Sequence, residues 1–185
     1  DSDLLVLDED KRVKSIDSKS NKRNYWYENC VNAGIYILSS DILQRMEKLG
    51  KSDLENDILM PIMTENYVYG YRTSEYVKDV GTPERFRKAE KEQKAGVWER
   101  KCLKEKQKCV FLDRDGTLNR YNGLVYQDEQ FELEEHAAEA IRLLNEAGYL
   151  AIVVTNQPVV ARGLCEIEDV IRIHRKMQVL LGEQG

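Results

Sequence analysis

The sequence predicts an α/β protein whose second half is built on a parallel sheet. Two short apolar runs, "CVFLD" at 109–113 and "YLAIVVTN" at 149–156, have strand length and strand composition. Each is followed by an amphipathic helix. In "EEHAAEAIRLLNEAG" the residues Ala137, Ile141, Leu144 and Ala147 recur at helical spacing, with Gly148 past the end. In "EIEDVIRIHRKMQVLLG" the residues Ile167, Val170, Ile171, His174, Met177 and Leu181 line one side. Strand, helix, strand, helix with unbroken apolar strands reads as a parallel sheet covered on both faces. The right-handed crossover between such strands sets Asp113 and Thr155 at the same carboxyl edge, the edge where open α/β sheets bind ligands.

The front of the chain, residues 1–83, mixes short strand-like and helical segments. "LLVLDEDKRVKSI" reads as two strands around an Asp-Glu-Asp turn. "NAGIYILSSDILQRMEKLG" reads as a strand, then Ser39 or Ser40 capping a helix that stops at Gly50. "YVYGYRTSEYVKDVGTP" is rich in Tyr and Val and reads as strand text ending in a turn. Residues 84–108 favour helix formers and carry many Lys and Arg, the pattern of a solvated helical linker.

The 185 residues hold one medium domain or two small ones. Composition is that of a globular chain, 42% hydrophobic and 33% charged. A net charge of −5 argues against a nucleic-acid partner. No apolar run approaches the roughly 20 residues of a membrane helix, and the acidic opening "DSDLLVLDED" is not a signal peptide. Cys30, Cys102, Cys109 and Cys165 show no Cys-x-x-Cys spacing and read as reduced thiols of a cytoplasmic protein. His136 and His174 stand far apart in helical text and read as surface or packing residues.

Asp113 and Asp115 raise a chemical question. Two carboxylates at the end of one strand repel each other unless an outside charge neutralises them. Mg²⁺ suits that role, because it takes carboxylate oxygens, water and phosphate. One carboxylate can then attack phosphorus to give an aspartyl-phosphate. The second can protonate the leaving oxygen and later activate water. Gly116 lets the backbone turn sharply, Thr117 caps or braces that turn, and Thr155 offers a hydroxyl to a phosphate oxygen. Amides of the following loop complete an anion cradle.

Residues 108–185 resemble the haloacid dehalogenase-like phosphohydrolases. Asp113-Arg114-Asp115-Gly116-Thr117 matches their first motif and "VVTNQ", residues 153–157, their second. The wider text, "FLDRDGTLN" and "VVTNQPVVARG", is similar to the heptose bisphosphate phosphatase and histidinol-phosphatase branch. The resemblance implies a Rossmann-like parallel sheet with flanking helices. It implies Asp113 as nucleophile and metal ligand, and Asp115 as general acid/base with its carbonyl on Mg²⁺. Thr155 and Asn156 would hold the transferring phosphoryl group. Tyr121, Asn122, Gly123 and Leu124, with Gln157 and Pro158, would touch substrate. Arg162 is either a second-phosphate contact or a loop arginine paired to a surface acid. The branch usually reads Ser-Gly after "TNQ", where this chain has Pro158-Val159. The interval between motifs is too short for a cap domain, leaving only the flap "NRYNGLVYQDEQ". The family's later Lys or Arg, its later acidic pair and the branch's zinc-binding Cys/His loop all fall outside these residues. The fold is therefore expected to be incomplete at its C-terminus, and these residues alone to hydrolyse phosphoesters poorly.

The front resembles the C-terminal half of sugar-phosphate nucleotidyltransferases, on "VNAGIYIL", "SDLENDILMPIM" and "VYGYRTSEYVKDVGTPERF". That resemblance implies Asn32 and Gly34 at a sugar site, Asp79 as a Mg²⁺ ligand, and a nucleoside triphosphate as partner. The residues alone read equally as a tight strand start at 32–34 and as Asp79 capping the helix after Pro83. The combined expectation is three segments. Residues 1–83 are nucleotidyltransferase-like, 84–108 a helical linker, and 109–185 the first half of a Mg²⁺-dependent phosphatase. The sugar-phosphate substrate is D-glycero-D-manno-heptose 1,7-bisphosphate, bound for cell-surface glycan assembly. The rivals are histidinol phosphate as substrate, nucleotidyl transfer as the main activity, and a catalytically incomplete scaffold.

Overall fold

In the computed structural model, strands β1 (Leu4–Leu7) and β2 (Val13–Asp17) form an antiparallel hairpin, as the sequence predicts. Its turn is closed by the Asp8 carboxylate, which accepts from the Arg12 amide at 2.9 Å. The structure describes residues 3–65 and 68–184, with the side chains of 47–49 also left aside.

The chain folds as two units, one of residues 1–23 and 29–73, the other of residues 24–28 and 74–185. In the first, helix α1 (Ser40–Leu49) has Ser39 as its N-cap residue and ends at Gly50, whose φ of 69° is the left-handed turn that a glycine admits. Asp53 caps a wide π-helical turn, Leu54–Leu59, by accepting from the Asn56 amide. Helix α2 (Met60–Thr64) continues from it and packs on β2, burying Ile62 and Met63.

Among the described residues, two expected strands do not form. Residues 32–38 are irregular, with Ile35 75% and Ile37 101% exposed. A strand needs a neighbour to take its amides and carbonyls, and here the one bridge is Val31 to Leu4. The text from Val68 to Pro83 behaves likewise. Among the described residues its one bridge is Tyr69 to Arg12, and Tyr71 is 92% exposed. Tyr67, the first residue of that expected strand, lies outside the described residues.

In the second unit the expected linker is two helices, α3 (Pro83–Lys94) and α4 (Val97–Lys101), separated at Gly96. Thr82, not Asp79, caps α3. Its hydroxyl accepts from the Arg85 amide at 3.2 Å, with Pro83 in the first turn where a missing N–H costs nothing. Strands β3 (Cys109–Leu112) and β4 (Leu150–Val153) pair in parallel, Leu112 opposite Val153. Between them run a 3₁₀ turn (Asp128–Gln130) and helix α5 (Ala137–Glu146), and after them helix α6 (Ile167–Glu183).

The flap, α5 and α6 share one core of Leu118, Val125, Phe131, Ala137, Ile173 and Met177, against which Leu112 and Val153 pack. The sheet is therefore covered on one face only. The opposite face carries Phe111 (67% exposed) beside Ile152, with Val154 at 59%. This corrects the expectation of cover on both faces, because among the described residues both helices serve the same core. The buried stripe of α6 also differs. It runs through Val170, Ile173 and Met177, whereas Ile167 and Ile171 are exposed. The short segment Asn24–Glu28 joins this unit through Trp26. The Trp26 indole N–H donates to Asp128 at 2.8 Å, and Lys176 stands 5.5 Å from the ring centroid.

Candidate active site at the carboxyl rim

The parallel register carries the ends of β3 and β4 to one rim. The Val154 amide bonds the Leu112 carbonyl at 2.8 Å, so Asp113 and Thr155 follow directly on adjacent strands. Past Asp113 the chain curls tightly. The Arg114 carbonyl accepts from the amides of Thr117, Leu118 and Asn119, and the Gly116 amide bonds the Asn119 carbonyl at 2.8 Å. Gly116 sits at φ 78°, the left-handed region, and a Cβ there would meet Tyr121 Cβ at 3.5 Å. Buried Leu118 and Val125 then pin the flap to the core.

Asp113 is exposed, and its Oδ1 accepts from the Arg114 amide at 2.7 Å. Asp115 is half-buried and tightly held. Arg114 Nε donates to its Oδ1 at 2.9 Å and Arg114 Nη2 to its Oδ2 at 3.0 Å. Gln157 Nε2 donates to Asp115 Oδ2 at 2.7 Å and to Thr155 Oγ1 at 2.8 Å, while Gln157 Oε1 accepts from Arg114 Nη2 at 2.7 Å. The structure thus joins Asp115, Thr155 and Gln157 in one network beside Asp113. Tyr121, Asn122, Leu124, Asn156 and Arg162 are exposed around it, with Gly123 half-buried. The Pro158-Val159 pair has a packing reason. Val159 is fully buried and anchors the turn in which the Arg162 amide bonds the Pro158 carbonyl.

Two residues that contact this rim were not singled out by the sequence. Arg114 was given no role of its own within the motif, and it is fully buried. His174 looked like a packing residue, yet its Nε2 lies 3.4 Å from Arg114 Nη1. Burial, then the Arg114 charge, holds the His174 imidazole below its ordinary value of 6.5, with Asp115 opposing. The only advance signal was its place on an apolar side of α6.

The donor set at the rim is carboxylate and backbone carbonyl, hard oxygens that fit Mg²⁺. Among the described residues no group of three or more His, Cys, Asp and Glu side chains converges. A magnesium ion here would take the Asp113 carboxylate and the Asp115 backbone carbonyl, and fill its shell with water and phosphate. Asp79 is exposed and locally engaged. It accepts from the Gly81 amide at 2.7 Å and pairs with Arg85, and the Gly81 amide first, then Arg85, holds its carboxyl below the usual range. In the other unit Asn32 Oδ1 accepts from the Gly34 amide at 2.9 Å and Asn32 Nδ2 donates to Tyr36 at 2.7 Å.

No protein-family model matches the chain. Over 78 residues it is 38% identical to D-glycero-beta-D-manno-heptose-1,7-bisphosphate 7-phosphatase of Pasteurella multocida (strain Pm70), covering 42% of each chain. Over 81 residues it is 42% identical to D-glycero-D-manno-heptose-1,7-bisphosphate 7-phosphatase of Chlorobaculum tepidum, covering 43% of this chain and 41% of the relative. The relatives are phosphatases of a sugar bisphosphate. The chain spans about two fifths of the length of the curated relatives it matches. Among solved structures, D,D-heptose 1.7-bisphosphate phosphatase from B. bronchiseptica, complexed with magnesium and phosphate, aligns at 32% identity and a TM-score of 0.41, covering 42% of this chain and 44% of that one. None of these matches speaks to nucleotidyl transfer. No helix among the described residues is long and apolar enough to cross a membrane.

Proposed function

We propose that the rim of β3 and β4 belongs to a Mg²⁺-dependent phosphomonoester hydrolase acting on D-glycero-D-manno-heptose 1,7-bisphosphate. The observation that carries the proposal is the network uniting Asp115, Gln157 and Thr155 at the strand ends beside exposed Asp113. The names of the relatives support the substrate.

Bound magnesium would neutralise the paired carboxylates and draw charge from the phosphoryl oxygens. The Asp113 carboxylate attacks phosphorus, the bond to the sugar oxygen breaks, and that oxygen takes a proton from Asp115. Water then attacks phosphorus of the aspartyl-phosphate, Asp115 accepts its proton, and Asp113 is regenerated with release of phosphate. Thr155 and the amides after it face the phosphoryl oxygens. Phosphate release from the heptose bisphosphate with added Mg²⁺ tests this, with Asp113→Asn as control. Release that survives this substitution removes Asp113 from its role.

For residues 1–83 the nucleotidyltransferase likeness is carried by the sequence text at 31–38, 52–63 and 68–86. Asn32 and Asp79 each have local partners that a ligand would have to displace. Mg²⁺-dependent pyrophosphate production from a nucleoside triphosphate and a sugar 1-phosphate tests it. Pyrophosphate production unchanged by Asp79→Asn would remove Asp79 from its Mg²⁺-ligand role.

A further inference from the structure

We infer that Arg114 is a positioning residue, whose buried guanidinium fixes the Asp115 carboxylate and the Gln157 amide in the one arrangement the rim chemistry needs. The inference rests on the hydrolase reading above and adds a residue to it.

A guanidinium at zero exposure is costly to bury, and an apolar side chain of like volume is often as stable or more so. Arg114 is compensated from three separate elements. It holds Asp115 by two parallel bonds at the end of its own strand. It donates to Gln157 Oε1 in the loop after β4. Its Nη1 meets His174 Nε2 on α6. Only a planar fork reaches all three, because lysine is a point charge without fixed donor directions.

The geometry also fixes the Asp115 carboxylate. A carboxylate has about four lone-pair sites. On Asp115, Oδ1 faces Arg114 Nε and Nη2, each at 2.9 Å, and Oδ2 faces Arg114 Nη2 at 3.0 Å and Gln157 Nε2 at 2.7 Å. Both oxygens are therefore held, and the side chain is kept in one orientation at the rim. Gln157 has a matching constraint. Its carbonyl faces the cation, which turns its amide toward Asp115 and Thr155 together. Arg114 therefore acts on Thr155 through Gln157.

The test is NMR of the chain combined with kinetics of the phosphatase reaction. In the wild type the Arg114 Nε–H should exchange with water as slowly as core amides. Exchange as fast as that of exposed Arg162 overturns the inference, whether or not any variant folds. In Arg114→Lys with an otherwise unchanged backbone spectrum, the Gln157 side-chain amide should exchange at least about tenfold faster. An unchanged Gln157 amide overturns the inference too. In the kinetics Arg114→Lys should lower kcat by about 10–100-fold while KM moves less than about threefold, as expected when orientation and not ground-state binding is lost. A rise in KM with kcat intact overturns the positioning role. These residues alone are expected to release phosphate poorly, so where the wild type releases none the two exchange measurements decide the role of Arg114 without the kinetics.

Discussion

Truncating Phe131 to alanine should uncouple the flap from the helices. Phe131 has no exposed surface and packs with Leu118, Val125, Ala137, Ile173 and Met177, which are 3%, 2%, 8%, 0% and 6% exposed. With partners on the flap, α5 and α6, the site has no solvent edge through which to collapse. A buried Phe→Ala change of this kind costs about 3–5 kcal/mol, a large part of the roughly 5–15 kcal/mol of an ordinary domain. With a urea slope of about 1.5–2 kcal/mol per molar, the midpoint should fall by about 1.5–3 M. Trp26 and Trp98 both belong to the second unit, so tryptophan fluorescence follows that unit alone. Phe131→Leu keeps most of the volume and should cost less than about 1.5 kcal/mol. A Phe131→Ala midpoint within about 0.5 M of wild type, at an unchanged slope, would show that the flap is not held by this core.

Acidification should weaken the second unit through His174. Its folded value lies below the unfolded 6.5, by burial first and Arg114 second, so the unfolded chain binds the proton more readily. The stability is complete above 6.5 and is lost as pH falls from there through the folded value. Urea midpoints at about pH 7.5 and about pH 5.5 should differ less in His174→Gln than in wild type; equal differences would contradict this origin. Gly116→Ala forces a side chain into φ 78° and should cost about 1–2 kcal/mol, read as a lower melting temperature. An unshifted melting curve would mean that the loop relaxes out of the left-handed turn.

What could be read in advance follows from where local pattern suffices. The β1–β2 hairpin and the parallel β3–β4 pair are written in apolar runs and turn residues, and both form. The rim was legible because Asp113, Asp115, Thr155 and Gln157 lie at strand ends, where topology places them without any long-range packing detail. Strand text at 32–38 and 68–80 did not become strand. Apolar β-branched and aromatic residues make a ladder only when a partner lies alongside, and Val31 and Tyr69 find one bridge each. The α6 stripe was read in part: Val170, Met177 and Leu181 face the core as expected, but Ile173 is buried while Ile167 and Ile171 are exposed, a difference that the helical period alone does not fix. Arg114 and His174 were hidden for a related reason. Their roles come from contacts between residues 60 positions apart, which no local spacing encodes.

Whether Asp113 and its neighbours hold magnesium and a phosphoryl group is tested most directly by amide proton–nitrogen NMR of the chain titrated with Mg²⁺ and beryllofluoride. The expected result is a set of shifts concentrated at residues 113–117 and 155–157 that needs both additions and disappears in Asp113→Asn. Shifts missing from both segments, or undiminished in Asp113→Asn, would contradict the assignment of this rim as the phosphoryl-transfer site.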